Sequence, residues 1–149
     1  MVYDHRCFGC GELNPDGLKM RFNFDGSRVT CLYTVPARFQ SWEGIIHGGM
    51  VGLMLDEAMG WAAVHAGHPG VTGKMEMRLR HSVKVGETVR VIGQVDEIRR
   101  SLVRASAWVE RASDSVRLAE GSATLMAVPT NIVMAEGFQS GSGAGASSG

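Results

Sequence analysis

A surplus of charge of one sign is what this chain most clearly lacks. Its 15 basic and 15 acidic residues cancel to a formal net charge of zero with histidine neutral, so no global field draws it to nucleic acid or to a membrane surface. Cysteine is scarce too. Three residues, an odd number, argue against the paired disulfide framework of a small secreted domain. No uninterrupted apolar run approaches the ~20 residues that span a bilayer. Residues 1–6, Met-Val-Tyr-Asp-His-Arg, lack the basic-then-apolar layout of a signal peptide. There is no internal repeat. These absences leave a soluble cytoplasmic protein with no nucleic-acid and no membrane partner as the expectation. At 149 residues and 44% apolar content it is expected to be a single domain with a real core.

What is present is glycine in an unusual place. The run His47-Gly48-Gly49-Met50-Val51-Gly52-Leu53-Met54-Leu55-Asp56-Glu57-Ala58-Met59-Gly60 reads as the first part of a helix from about Gly48 to Val64. Its apolar residues lie nearly all round, which predicts burial. Projected at 100° per residue, Gly49, Gly52, Asp56 and Gly60 fall on one narrow stripe. Each interior glycine costs a helix about 1 kcal/mol relative to alanine, so the stripe needs a compensating role. Close backbone packing accounts for the glycines alone. A cleft containing an acid accounts for the glycines and for Asp56.

Around that helix the pattern is one of strands. Apolar residues alternate at Leu18, Met20, Phe22 and Phe24, then again at Val29, Cys31, Tyr33 and Val35, with the turn pair Asp25-Gly26 between them. This predicts a hairpin of half-buried strands. After His65-Ala66-Gly67-His68-Pro69-Gly70 come four long segments, Val71 to Val83, Thr88 to Arg100, Leu102 to Arg111 and Val116 to Met126. Two strands, one buried helix and four strands predict an α+β fold, an antiparallel sheet wrapped round a helix. Residues 1–17, with Cys7-Phe8-Gly9-Cys10-Gly11 and Asn14-Pro15-Asp16-Gly17, read as an ordered N-terminal loop. Residues 18–136 form the domain, and 137–149 a flexible Gly/Ser-rich tail.

This order of elements, with His-Gly-Gly opening the helix and an Asp nine residues on, resembles the hotdog-fold acyl-CoA thioesterases. It is most similar to the branch of phenylacetate-pathway and 4-hydroxybenzoyl-CoA thioesterase-like proteins. The Cys-rich leader and the Lys84-Val85-Gly86-Glu87 turn before a long strand also fit, and the resemblance covers roughly residues 7–128. It implies hydrolysis of an acyl- or aryl-CoA thioester to free acid and coenzyme A, with no cofactor. Asp56 resembles the catalytic carboxylate, as general base or nucleophile. The Gly48 N–H at the helix N-terminus resembles the donor that polarises the thioester carbonyl, assisted by Gly49. Such a donor is physically sound, because the first N–H groups of a helix lack partners and carry partial positive charge. His47 resembles the residue that shapes the turn, and Thr72 the Ser/Thr that holds the attacking water. Gln40 matches by chemical type a family Asn or Gln ahead of His-Gly-Gly. The resemblance further implies a homodimer or homotetramer with sites built across the subunit interface.

Several residues carry a plainer reading beside these. Glu57, 100° round the helix, is the alternative acid or a surface or dimer-contact residue. His47 reads equally as a cap, and Thr72 as a β-branched strand residue. Cys7 and Cys10 have metal-ligand spacing, but a structural zinc site takes four ligands. Cys31 reads as core and His5 is a third candidate with no fourth, so a structural loop without metal is the favoured reading, with zinc as the alternative. Arg78 and Arg80, among other basic residues, are candidates for the coenzyme A phosphates. The remaining functional readings are a non-catalytic acyl-CoA binding protein and a hydratase. The hydratase fits least, because His47 and His65 each lie nine residues from Asp56.

Overall fold

Period-two alternation becomes one antiparallel sheet, and the continuous apolar stretch becomes the helix it holds. The computed structural model describes residues 5–128; the segment 129–136 and the Gly/Ser-rich tail 137–149 lie outside the described residues. In chain order the elements are β1 (Asn23–Phe24), β2 (Arg28–Thr34), α1 (Gly48–His65), β3 (Gly70–Leu79), β4 (Thr88–Arg99), β5 (Leu102–Arg111) and β6 (Arg117–Ala127), with one 3-10 turn at Ala37–Phe39. The sheet order is β1-β2-β4-β5-β6-β3, with every neighbouring pair antiparallel. The helix carries the chain from the β2 side of the sheet to the far edge, where β3 pairs with β6.

Along β5 the two faces separate cleanly. Val103, Ala105, Ala107 and Val109 are buried against the helix side, while Arg104, Ser106, Trp108 and Glu110 alternate with them. From α1, Met54, Leu55, Ala58 and Met59 are fully enclosed, and each large side chain among them contributes about 1.5–3 kcal/mol by leaving water. Small residues let the helix lie directly on the sheet. A Cβ at Gly93 of β4 would stand 2.4 Å from the Ala58 carbonyl oxygen, so no other residue fits there without moving the helix. Among the described residues no helix is long and apolar enough to cross a membrane.

Two sequence expectations need correction. The alternating segment 18–24 joins the sheet only at Asn23–Phe24. Lys19 sits at φ 55°, a left-handed conformation that interrupts an extended strand. Leu18 and Met20 are buried all the same, and their N–H groups bond to Phe8 O and Gly9 O of the N-terminal loop. The expected strand to Val83 ends at Leu79. The strand β3 is an edge of the sheet, and it exposes Val71, Met77 and Leu79 at 58%, 44% and 48%.

Candidate active site

Asp56 stands in the middle of α1 facing the first turn of β3. Thr72 Oγ1 donates a 2.6 Å hydrogen bond to Asp56 Oδ1. A shift of register between Thr72 and Lys74 in the β3–β6 pairing marks a bulge at this point, a device that re-aims side chains next to functional sites. The pair lines a cleft of about 460 Å³ together with Gly60, Trp61, Val64 and Leu125, and with His5, Cys7 and Cys10 from the N-terminal loop. No ion pair to Asp56 exists among the described residues. A carboxylate held by one hydroxyl in an open cleft keeps its second oxygen for a water molecule.

At the start of the helix, His47 is the N-cap. Its backbone is extended (φ −58°, ψ 132°) and its Nδ1 accepts a 2.8 Å hydrogen bond from Gly49 N–H. That bond occupies Gly49 N–H and places the imidazole proton on Nε2, so in this arrangement His47 shapes the turn and Gly49 has no free donor. Gly48 N–H, by contrast, has no acceptor among the described residues. The glycine stripe divides in role. An added Cβ at Gly49 would meet the His47 ring at 3.0 Å and one at Gly52 the Met77 sulfur at 2.9 Å, while at Gly60 it would meet nothing within 4 Å; Gly48, beside the stripe, faces the tip of Leu79 at 2.9 Å. Close packing therefore explains the N-terminal part of the stripe and the cleft explains Gly60. Asp56 and Gly48 are eight residues apart, about 12 Å along the helix axis.

Glu57 is half-buried, and its side chain is turned to this chain's own N-terminal loop. There Cys7 Sγ lies 3.4 Å from Glu57 Oε1 and Gly9 leaves room for the Glu57 side chain. The Cys7 and Cys10 sulfurs and a Glu57 oxygen lie within 4.8 Å of one another. Burial pushes the Glu57 carboxyl up to about 8. A hydrogen bond from Cys10 holds the Cys7 thiol down to about 5, and that bond, with burial, raises Cys10 above the ordinary thiol range. Sequence reasoning found the two cysteines by their spacing and missed their partner, because nothing local links residue 57 to residues 7 and 10.

The other expected binding residues lie elsewhere. Gln40 Oε1 accepts from Gly44 N–H at 3.1 Å, which organises the loop ahead of the helix. Arg80 pairs with Glu120. Arg78 lines a broad groove with Trp108, Arg28 and Arg117, and neither arginine borders the cleft of its own Asp56.

Known structures repeat this architecture. Zebra fish thioesterase superfamily member 2 superimposes with a TM-score of 0.69 at 22% identity, over 77% of this chain and 89% of that one. A Streptococcus mutans UA159 protein solved bound to acetyl CoA gives 0.69 at 19% identity, over 79% and 97%. A hypothetical thioesterase from Streptococcus pneumoniae TIGR4, solved with coenzyme A, gives 0.68 at 14%, over 73% and 85%. Comparison with curated protein sequences gives no match. At such identities the likeness speaks for the fold: one helix held in a six-stranded antiparallel sheet, the hotdog fold. Sequence carries the family itself, because the thioesterase superfamily model matches residues 43–117, from the loop before His47 through β5 and into β6. With the helix, its glycine entry and Asp56 all inside that match, the chain belongs to the thioesterase superfamily.

Proposed function

We propose that the protein hydrolyses acyl- or aryl-CoA thioesters as a homodimer, alone or paired into a homotetramer. The observation that carries this reading is the Thr72–Asp56 hydrogen bond at 2.6 Å inside an open cleft. Asp56 Oδ2 takes a proton from a water that Thr72 helps to hold. The water oxygen attacks the thioester carbonyl carbon, and the carbon–sulfur bond then breaks. The coenzyme A thiolate leaves and takes up the proton from Asp56. Direct attack by the carboxylate, followed by hydrolysis of the anhydride, is the variant route from the same residue.

The developing oxyanion needs a donor about 3 Å away, and the Gly48 N–H suits it: an uncompensated amide at a helix N-terminus. One helix cannot place both groups on one carbonyl, since about 12 Å separates them along its axis. A second copy is therefore required, contributing its Gly48 to the site of this Asp56. The exposed edge strand β3, with Val71, Met77 and Leu79, is the surface through which the copies meet in this reading. Gln40 supports the donor turn, and Arg78 and Arg80 stand for the nucleotide phosphates on the subunit exterior. Two structural neighbours were solved with acetyl CoA or coenzyme A, which supports the choice of thiol carrier. No nucleic acid and no membrane enters the reading, and the expected location is cytoplasmic.

Free-thiol release from a panel of short, medium, long-chain and aromatic acyl-CoAs tests the proposal. Turnover on any of them supports it and identifies the acyl class. Tight acyl-CoA binding without thiol release would replace it with the non-catalytic binding protein.

A further inference from the structure

Cys7, Cys10 and Glu57 line the same cleft as Asp56 but have no part in that reaction, and their chemistry is that of a metal site. Cys7 and Cys10 come from the N-terminal loop and Glu57 from α1, and one sulfur or oxygen of each lies within 4.8 Å of the others. Ligands of one tetrahedral ion at bond lengths of roughly 2.0–2.3 Å stand about 3.3–3.8 Å apart; the Cys7–Glu57 pair is already at 3.4 Å, and the cluster closes by about an ångström at most to hold an ion. Two thiolates with a carboxylate form a donor set that selects zinc-class cations over magnesium or calcium. Glu57 has no ion pair among the described residues, and the group it faces is Cys7 Sγ, 3.4 Å from its Oε1. The loop is shaped for the cluster. A Cβ at Gly9 would run into the Glu57 carboxylate carbon at 2.3 Å, and one at Gly11 would meet Cys7 N and His5 O at 2.4 Å. Gly11 N–H closes the turn on Cys7 O at 2.8 Å. His5 stands behind the ligands and accepts from Cys7 N–H at 3.0 Å.

We propose that Cys7, Cys10 and Glu57 bind one zinc-class divalent cation, with the fourth coordination position open to the cleft that Asp56 and Thr72 also line. Spacing in the sequence yields two cysteines and a histidine, too few for a site; the fold supplies Glu57. The ion ties the N-terminal loop to the helix one residue from Asp56, and so fixes one wall of the cleft. This inference is independent of thioester hydrolysis and stands or falls by metal binding alone.

The test uses the full chain, purified under reducing conditions and loaded with zinc or cobalt(II), with excess metal removed. Elemental analysis should find one equivalent per chain. The cobalt form should show the sulfur-to-metal charge-transfer band and the visible bands of a tetrahedral site. Cys10→Ser should weaken the charge-transfer band, and Glu57→Gln should keep it while lowering affinity at least about tenfold, the lower end of what even an outer partner costs. Because a cysteine variant can fail to fold, a second measurement uses the wild type alone: zinc should protect Cys7 and Cys10 from alkylation, located by peptide mass spectrometry. A folded wild type that retains no metal, a Cys7–Cys10 disulfide in its place, or a cobalt spectrum unchanged by Cys10→Ser would overturn the site.

Discussion

Thr72 Oγ1 and Asp56 Oδ1 are joined by a 2.6 Å hydrogen bond across sixteen residues of sequence. The bond orients the carboxylate and leaves one of its oxygens facing the cleft. If Thr72 holds the attacking water, Thr72→Val lowers kcat by about 10–100-fold with little change in KM, the pattern of a contact made in the transition state. Thr72→Ser restores most of the rate. Steady-state kinetics on the substrate found by thiol release separates this from a merely structural threonine, for which Thr72→Val would leave kcat unchanged in a folded protein.

The Gly48 amide can be removed without removing the helix. Gly48 is the first helical residue, after the cap His47 at φ −58° and ψ 132°, and proline is well tolerated at that position after an extended residue. Among the described residues the only neighbour an added Cβ meets there is the tip of Leu79. Gly48→Pro is expected to keep the far-UV circular dichroism of the wild type and to lower kcat by about 10²–10³-fold, the cost of one oxyanion donor.

Much of the architecture is legible in the sequence, for a physical reason. Strand β5 buries alternate residues along most of its length, while β4 and β6 break the alternation at Val91–Gly93 and at Leu118–Ala119, yet the turn residues between them set limits that agree with the observed ones to within a residue. The helix was visible because it is apolar all round and opens on glycines. Segment 18–24 was misread because Leu18 and Met20 alternate for a different purpose, packing under the N-terminal loop across a left-handed Lys19. The approach of Thr72 to Asp56 came only through family resemblance, since residue types alone leave Thr72 as one more β-branched strand residue. The inward turn of Glu57 was not legible at all. A helical projection gives the direction of a side chain, and only tertiary structure says what covers it.

Complementation tests whether a site takes Asp56 from one copy and Gly48 from another. In a mixed dimer of Asp56→Asn and Gly48→Pro subunits one of the two sites is intact. Statistical mixing of the two inactive variants should therefore recover about a quarter of wild-type activity. Subunit exchange with no recovery would place both groups in sites that do not cross the interface.

Acid sensitivity should trace in part to the turn before β4. Burial pulls the Glu87 carboxyl upward, but hydrogen bonds from Lys84 N–H at 2.9 Å and Arg111 Nε at 2.5 Å outweigh it and hold it below the usual carboxylate range. The unfolded chain then binds the proton first as pH falls, so this stabilisation is full above the ordinary glutamate value of about 4.3 and is lost below it. Glu87→Gln should lower Tm at neutral pH, and the gap from wild type should close as pH falls through that window. Thermal melts across pH check the sign.

The most direct test of the account is the rate of free-thiol release by Asp56→Asn, measured beside its affinity for the same acyl-CoA. The substitution keeps the shape of the side chain and an oxygen for Thr72, and removes only the basic carboxylate. A folded variant that binds acyl-CoA as the wild type does and releases thiol at least about 10²-fold more slowly, as loss of a general base requires, is the predicted result. An unchanged kcat in that variant would contradict the account.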